Sequence, residues 1–123
     1  MNNYASVVGS SQIATGTTFL QNTNYNIPTD GAYLIIFNSS SQIPKDMIVT
    51  YMLFCNDNPI PGAVAQTTSP IDHSKSIIFP TSFSIIANFK EGDKISVQVE
   101  IVSGVMSDSI VIKNTILNII KMF

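Results

Sequence analysis

Arginine and tryptophan are absent, and cysteine and histidine occur once each. Charged residues make up 11% of the chain, less than half the usual share of about 25%. Each shortage excludes something. Without arginine there is no planar fork for phosphate or guanine. The six lysines, Lys45, Lys75, Lys90, Lys94, Lys113 and Lys121, are scattered singly and the net charge is −2. No basic stripe can track a nucleic acid, and no polybasic patch can hold anionic lipid. A single cysteine excludes a disulfide within the chain. The longest nearly apolar run, Met47 to Cys55, is far short of the roughly 20 residues that span a bilayer. Residues 1–16 lack a basic start, an apolar stretch and a cleavage site, so no secretory signal is visible. Disorder is excluded as well, because 45% of residues are apolar and so little charge cannot keep a chain solvated and unfolded.

What remains is a 123-residue chain, long enough for one ordinary core. Helical spacing is nearly missing, whereas β-branched residues, aromatics and turn formers recur at short intervals. The pattern predicts strands at Thr17–Leu20, Ala32–Asn38, Ile48–Cys55, Ala63–Thr67, Ser76–Phe79, Ser82–Phe89, Lys94–Val102, Ser109–Lys113 and Thr115–Phe123. Loops are expected at Ser39–Asp46, Asn56–Gly62 and Thr68–Ser76, with tighter turns at Pro28-Thr29-Asp30-Gly31 and Lys90-Glu91-Gly92-Asp93. Eight to ten short strands at near-regular spacing define an all-β antiparallel sandwich or barrel. Residues 1–16, polar and dotted with glycine, read as a flexible or attachment segment, and residues 17–123 as the domain.

The faces of the strands say more than their number. Lys94–Val102 alternates cleanly, with Ile95, Val97, Val99 and Ile101 on one side and Ser96, Gln98 and Glu100 on the other. That is a half-buried antiparallel strand. Ile48–Cys55 does not alternate, since Val49, Tyr51 and Leu53 fill one face and Ile48, Met52 and Phe54 the other. The last strand behaves likewise, with Leu117 and Ile119 opposed to Ile116, Ile120 and Met122. Only one face of each strand in a two-layer sandwich meets the core. The second apolar face calls for a partner subunit.

Catalytic chemistry has little to work with. His73 sits between Asp72 and Ser74, but the members of a Ser-His-Asp triad come from separate elements, so a solvated loop histidine is expected. Nearly all carboxylates fall at turns, where aspartate bonds its own backbone. No His or Cys set suits a transition metal, no Asp-rich calcium loop is present, and no phosphate-cradling glycine pattern occurs. No cofactor is expected. Cys55, at the end of an apolar run, reads as a buried inert thiol.

Four stretches in order resemble one family. Ile27-Pro28-Thr29-Asp30-Gly31-Ala32-Tyr33-Leu34-Ile35 resembles the proline–turn–glycine–x–tyrosine start of a strand in the tumour-necrosis-factor and complement globular-head jelly rolls. Leu53 followed by Asn56-Asp57-Asn58-Pro59-Ile60-Pro61-Gly62 is similar to that family's leucine and Asn-Gly hairpin, with Asp57 in place of glycine. Phe89-Lys90-Glu91-Gly92-Asp93-Lys94-Ile95-Ser96-Val97 resembles its Gly-Asp hairpin. Thr115-Ile116-Leu117-Asn118-Ile119-Ile120-Lys121 resembles the closing strand of bacterial and phage members. The resemblance implies a two-sheet jelly roll that assembles as a homotrimer and is not an enzyme. With Leu53 as the core leucine, it implies a trimer interface formed by Thr50, Met52, Phe54, Gln98, Glu100, Ile116, Ile120 and Met122. The expected role is a structural head decorating a virion surface, as a phage capsid fibre or cement protein. Capsid or fibre proteins would be partners of the N-terminal segment. The alternative is a receptor- or glycan-binding head of a phage fibre or of a bacterial cell or spore surface. The predicted loops Ser39–Asp46, Asn56–Gly62 and Thr68–Ser76 hold no Phe, Tyr or Trp, which favours the structural role.

Overall fold

Period-two alternation, repeated along the chain, builds two antiparallel sheets that share one interior. The computed structural model describes residues 4–44, 46–69, 77–103 and 109–123. Its nine strands are β1 (Tyr4–Gly9), β2 (Gln12–Ala14), β3 (Thr17–Asn26), β4 (Gly31–Ile43), β5 (Met47–Cys55), β6 (Asn58–Thr68), β7 (Ile77–Phe89), β8 (Lys94–Ser103) and β9 (Ile110–Lys121). One sheet has five strands in the order β1-β9-β4-β7, with β2 also paired to β9, and the other runs β3-β8-β5-β6. Apart from the β5–β6 hairpin, paired strands come from distant parts of the chain, the jelly-roll wiring. His73, Asp72 and Ser74 lie outside the described residues, as do Lys45 and most of the expected loop Thr68–Ser76.

The interior is filled from both sheets. Tyr33, Ile35 and Phe37 of β4 and Leu117 and Ile119 of β9 meet Val49, Tyr51 and Leu53 of β5 and Ile95, Val97 and Val99 of β8, all buried. The Phe37 ring stacks on Phe83 at 5.2 Å and packs on Tyr51 at 5.4 Å. The inward faces read from the sequence for β5, β8 and β9 hold. Polar groups inside are paired across the two layers. Tyr51 bonds Ser41, and Thr23 bonds Thr115 at 2.8 Å. At the other seam Thr67 bonds Thr81 at 2.6 Å. Burial holds the Tyr51 hydroxyl above its ordinary pKa. The buried Ser39 Oγ has no partner among the described residues.

Several boundaries differ from the sequence reading, each for a backbone reason. Ser39–Ile43, expected as loop, continues β4, because Ser39 and Ser41 face inward and the strand pairs with β7 throughout its length. Asn58–Gly62 is strand too, and the loop shrinks to Asn56-Asp57, both at positive φ (49° and 68°). That is the backbone of a two-residue hairpin turn with the handedness that matches strand twist. Asn22, also at positive φ, marks a bulge in β3, so the asparagine-rich stretch stays in the sheet. Pro80 does not break β7, because β7 is an edge strand and needs no partner for the missing N–H. The two strands expected near the end of the chain are one, β9, kinked where its pairing slips between Asn114 and Ile112.

The N-terminal segment also departs from a free end. Tyr4–Gly9 pairs residue by residue with Ile120–Thr115, and Gln12–Ala14 with Ile112–Ile110. Backbone hydrogen bonds to the open edge of β9 do not require an apolar sequence, and Ala5 and Val7 add half-buried contacts to the core. Gly9 is buried where a side chain would collide with the hydroxyls of Thr115 and Thr23, so the strand can cross that seam only with glycine there.

Candidate interaction surfaces

Three regions bear on function: the outer faces of the two sheets, and the loop end where three turns meet. In the five-strand sheet the outward positions form rows across the strands. One row runs Tyr4, Ile120, Leu34, Ile86 and is apolar from edge to edge. In the adjoining row Ile36 stands among Ser6, Asn118 and Ser84, and in the one after it Val8 and Ile116 lead to Asn38 and Ser82. Tyr4, Val8 and Ile86 are 57%, 65% and 60% exposed, which is far from the burial such side chains favour. Beyond these rows lies an open depression lined by Asn38, Ser40, Pro80, Ser82 and Asn114, and past it Ile13 and Ile78 are again exposed. The five strands contain no Asp or Glu, and their cations are Lys113 and Lys121. Lys121 turns to the loop end, where its Nζ donates to Thr29 Oγ1 at 2.9 Å.

The four-strand sheet presents a different surface. Its rows are Val102–Ile48–Thr68, then Thr17–Glu100–Thr50–Gln66, then Phe19–Gln98–Met52–Val64, then Asn24–Ser96–Phe54–Pro59. The second row is wholly polar, and Gln66 Nε2 donates to Thr50 Oγ1 at 3.2 Å. It separates the aliphatic pair Val102 and Ile48 from an aromatic pair. Phe19 and Phe54 meet edge to face with ring centroids 5.2 Å apart, and Phe19 is 41% exposed.

The eight residues expected at one interface therefore fall on two surfaces. Thr50, Met52, Phe54, Gln98 and Glu100 share the outer face of the four-strand sheet. Ile116 and Ile120 lie on the outer face of the five-strand sheet, with Met122 just past the end of β9, its N–H donating to Ala32 O at 2.8 Å. The outward directions are as expected, but one patch does not join them, because the two sheets lie back to back about 10 Å apart. The sequence reading missed Leu34, Ile36 and Ile86. Their signal was available, since Ala32–Phe37 is as apolar on both faces as β5. Phe19 was readable from Leu20, which alternation sends inward.

At the loop end Asp93 gathers three turns. Its carboxylate accepts the Lys90 N–H at 2.8 Å and the Asn56 side-chain amide at 2.9 Å. Asp30 accepts the Glu91 N–H at 2.7 Å, and the Ile27 N–H donates to Asp93 O at 2.8 Å. The Lys90 N–H, with help from Asn56, holds the Asp93 pKa below its ordinary value. Cys55, expected to be buried, is part-exposed beside Asp93, and desolvation together with the Asp93 charge pushes its thiol up. A thiol so disposed is a poor nucleophile. Among the described residues no cluster of three His, Cys, Asp or Glu could hold a metal, and no helix is long and apolar enough to cross a membrane.

No protein-family model and no curated protein sequence matches the chain. Solved structures do. The chain is similar to Eiger TNF from S. frugiperda (TM-score 0.70, 10% identity, 99% of this chain and 94% of that one). It is similar to the globular domain of zebrafish complement 1qA (0.64, 13%, 99% and 98%) and to murine APRIL (0.65, 11%, 97% and 99%). The fold is the TNF-like jelly roll of the TNF and complement 1q heads.

Proposed function

We propose that the chain is the globular head of a homotrimer, non-enzymatic and structural, that decorates a virion surface. The observation that carries the assembly is the outer face of the five-strand sheet. It carries an apolar row across four strands, is free of carboxylates, and is covered by nothing else in the described chain. Soluble monomers rarely leave such a patch to water. Around a threefold axis identical charges would be brought together, so a face with no carboxylate suits contact between copies. The interface in this reading is Tyr4, Leu34, Ile36, Ile86, Ile116 and Ile120, which keeps Ile116 and Ile120 of the eight residues first expected and leaves out Met122 and the five on the opposite sheet.

The virion role is supported by the arginine-free, asparagine- and isoleucine-rich composition, typical of an AT-rich coding genome, and by the resemblance of the closing strand to bacterial and phage members. Capsid or fibre proteins are the partners of the N-terminal segment, which meets them while held in the sheet by β9. Light scattering at micromolar concentration should give three times 13.4 kDa, and Leu34→Glu should give a folded monomer. A wild-type monomer that persists at high concentration overturns the trimer. Absence of the protein from purified virions of its source overturns the location and favours a cell or spore surface.

A further inference from the structure

We propose that the Phe19–Phe54 platform on the four-strand sheet binds a neutral saccharide. The argument begins with size. The polar row Thr17–Glu100–Thr50–Gln66 cuts the apolar surface of this face in two. What is left around Phe19 covers two rows and four strands, out to Val64 and Pro59 of β6, roughly 7 by 14 Å. A stable protein interface needs about 800 Å² on each side, far more than this platform offers. One or two sugar rings fit it.

The chemistry points the same way. A pyranose has a face of C–H groups and a rim of hydroxyls that both donate and accept hydrogen bonds. The platform supplies an exposed aromatic ring held edge to face against a second one, so its orientation is set before any ligand arrives. Around it stand Gln98 in the same row and Asn24 in the next, with Ser96 buried between Asn24 and Phe54. Amides and hydroxyls are the side chains that donate and accept from one position. Charge fits as well. Glu100 is the single ionised group in the three rows nearest the platform, which would repel an acidic sugar and leave a neutral one unaffected. The aromatic groups expected of a sugar-binding head, absent from the predicted loops, are thus present on a sheet face instead.

The site stands on the sheet opposite the proposed trimer contact. Its chemistry is independent of assembly, while display of three copies on one head, which rests on the trimer reading, would add avidity. The test is a titration of the full chain with cellobiose, lactose, maltose, chitobiose and a mannose disaccharide, followed by backbone amide NMR. At least one should shift Phe19, Gln98, Met52 and Phe54 together and saturate. Phe19→Ala should weaken it about tenfold with the light-scattering mass unchanged and the thermal midpoint lowered by only a few degrees. Leu34→Glu, made to separate the copies, should leave the affinity for a soluble disaccharide unchanged, so loss of the trimer and loss of the sugar site are read independently. The proposal is overturned if none of the five shifts these residues, if the shifts map to the five-strand sheet, or if Phe19→Ala leaves binding intact.

Discussion

Both outer faces of this sandwich carry apolar side chains, the five-strand face more of them, and the two arrange them differently. On the five-strand sheet they line up in an unbroken row, Tyr4–Ile120–Leu34–Ile86, with more aliphatic residues alongside. On the four-strand sheet polar rows interrupt them and isolate a small aromatic patch. Composition alone does not show how the apolar side chains of a face are grouped. Register does, because it decides which outward residues become neighbours on adjacent strands. A continuous aliphatic row favours a large dry contact, and an isolated aromatic patch ringed by amides favours a small polar ligand.

The comparison can be broken most sharply by changing one sheet on both of its sides. Leu117→Glu places a charge in the filled interior and should unfold the domain, because an unpaired buried charge costs about 4 kcal/mol or more against a total stability of about 5–15 kcal/mol. Ile120→Glu, three positions on and outward, should yield a folded monomer with an unchanged β circular-dichroism spectrum. If Ile120→Glu unfolds the chain and Leu117→Glu leaves it folded, the faces are inverted. Deleting residues 2–9 removes β1 and exposes the β9 edge. It should cost about 2 kcal/mol, a fall of about 8 °C in the thermal midpoint, and an unchanged midpoint would mark the strand as a passive tail.

A smaller effect sharpens the contrast from the other side. Met52→Glu lies on the four-strand face, so the mass by light scattering should stay that of wild type, with stability lowered by about 1 kcal/mol or less. Dissociation of the trimer by Met52→Glu would move the interface to the four-strand sheet. The smallest effect belongs to the loop end. Asp93 has a folded pKa below its ordinary value, so the stability it adds is present above about pH 4 and is lost as pH falls below that toward the folded value. Asp93→Asn should lower stability at pH 7 and flatten the loss on acidification, read from thermal midpoints between pH 3 and 7, without altering the trimer mass at neutral pH.

Much of the inward-facing half of this molecule was legible in the sequence. Val49, Tyr51 and Leu53, or Ile95, Val97 and Val99, announce their faces through a period of two. The turns at Asn56-Asp57 and Lys90–Asp93 were legible because positive φ leaves few residue choices, and Gly92 (φ 88°) takes one of those positions. What escaped was of another kind. Serines in Ser39–Ser41 and asparagines in Asn22–Asn26 have weak strand preference, yet both stretches are held by neighbours far away in the chain. The interface list drew on two surfaces for a related reason. It assigned strands to a common surface without knowing which sheet each would join, and β5 and β9 join different sheets.

Each of the four sheet edges is interrupted. β7 contains Pro80, β6 contains Pro59 and Pro61, β3 is bulged at Asn22, and the β1–β2 edge breaks at Ser10-Ser11. These features shorten the rows of free N–H and C=O groups that template strand-by-strand polymerisation, and the longest run left is Thr81–Phe89 of β7. A sandwich with edges broken in this way stays a separate unit at concentrations where an uninterrupted edge would seed fibrils.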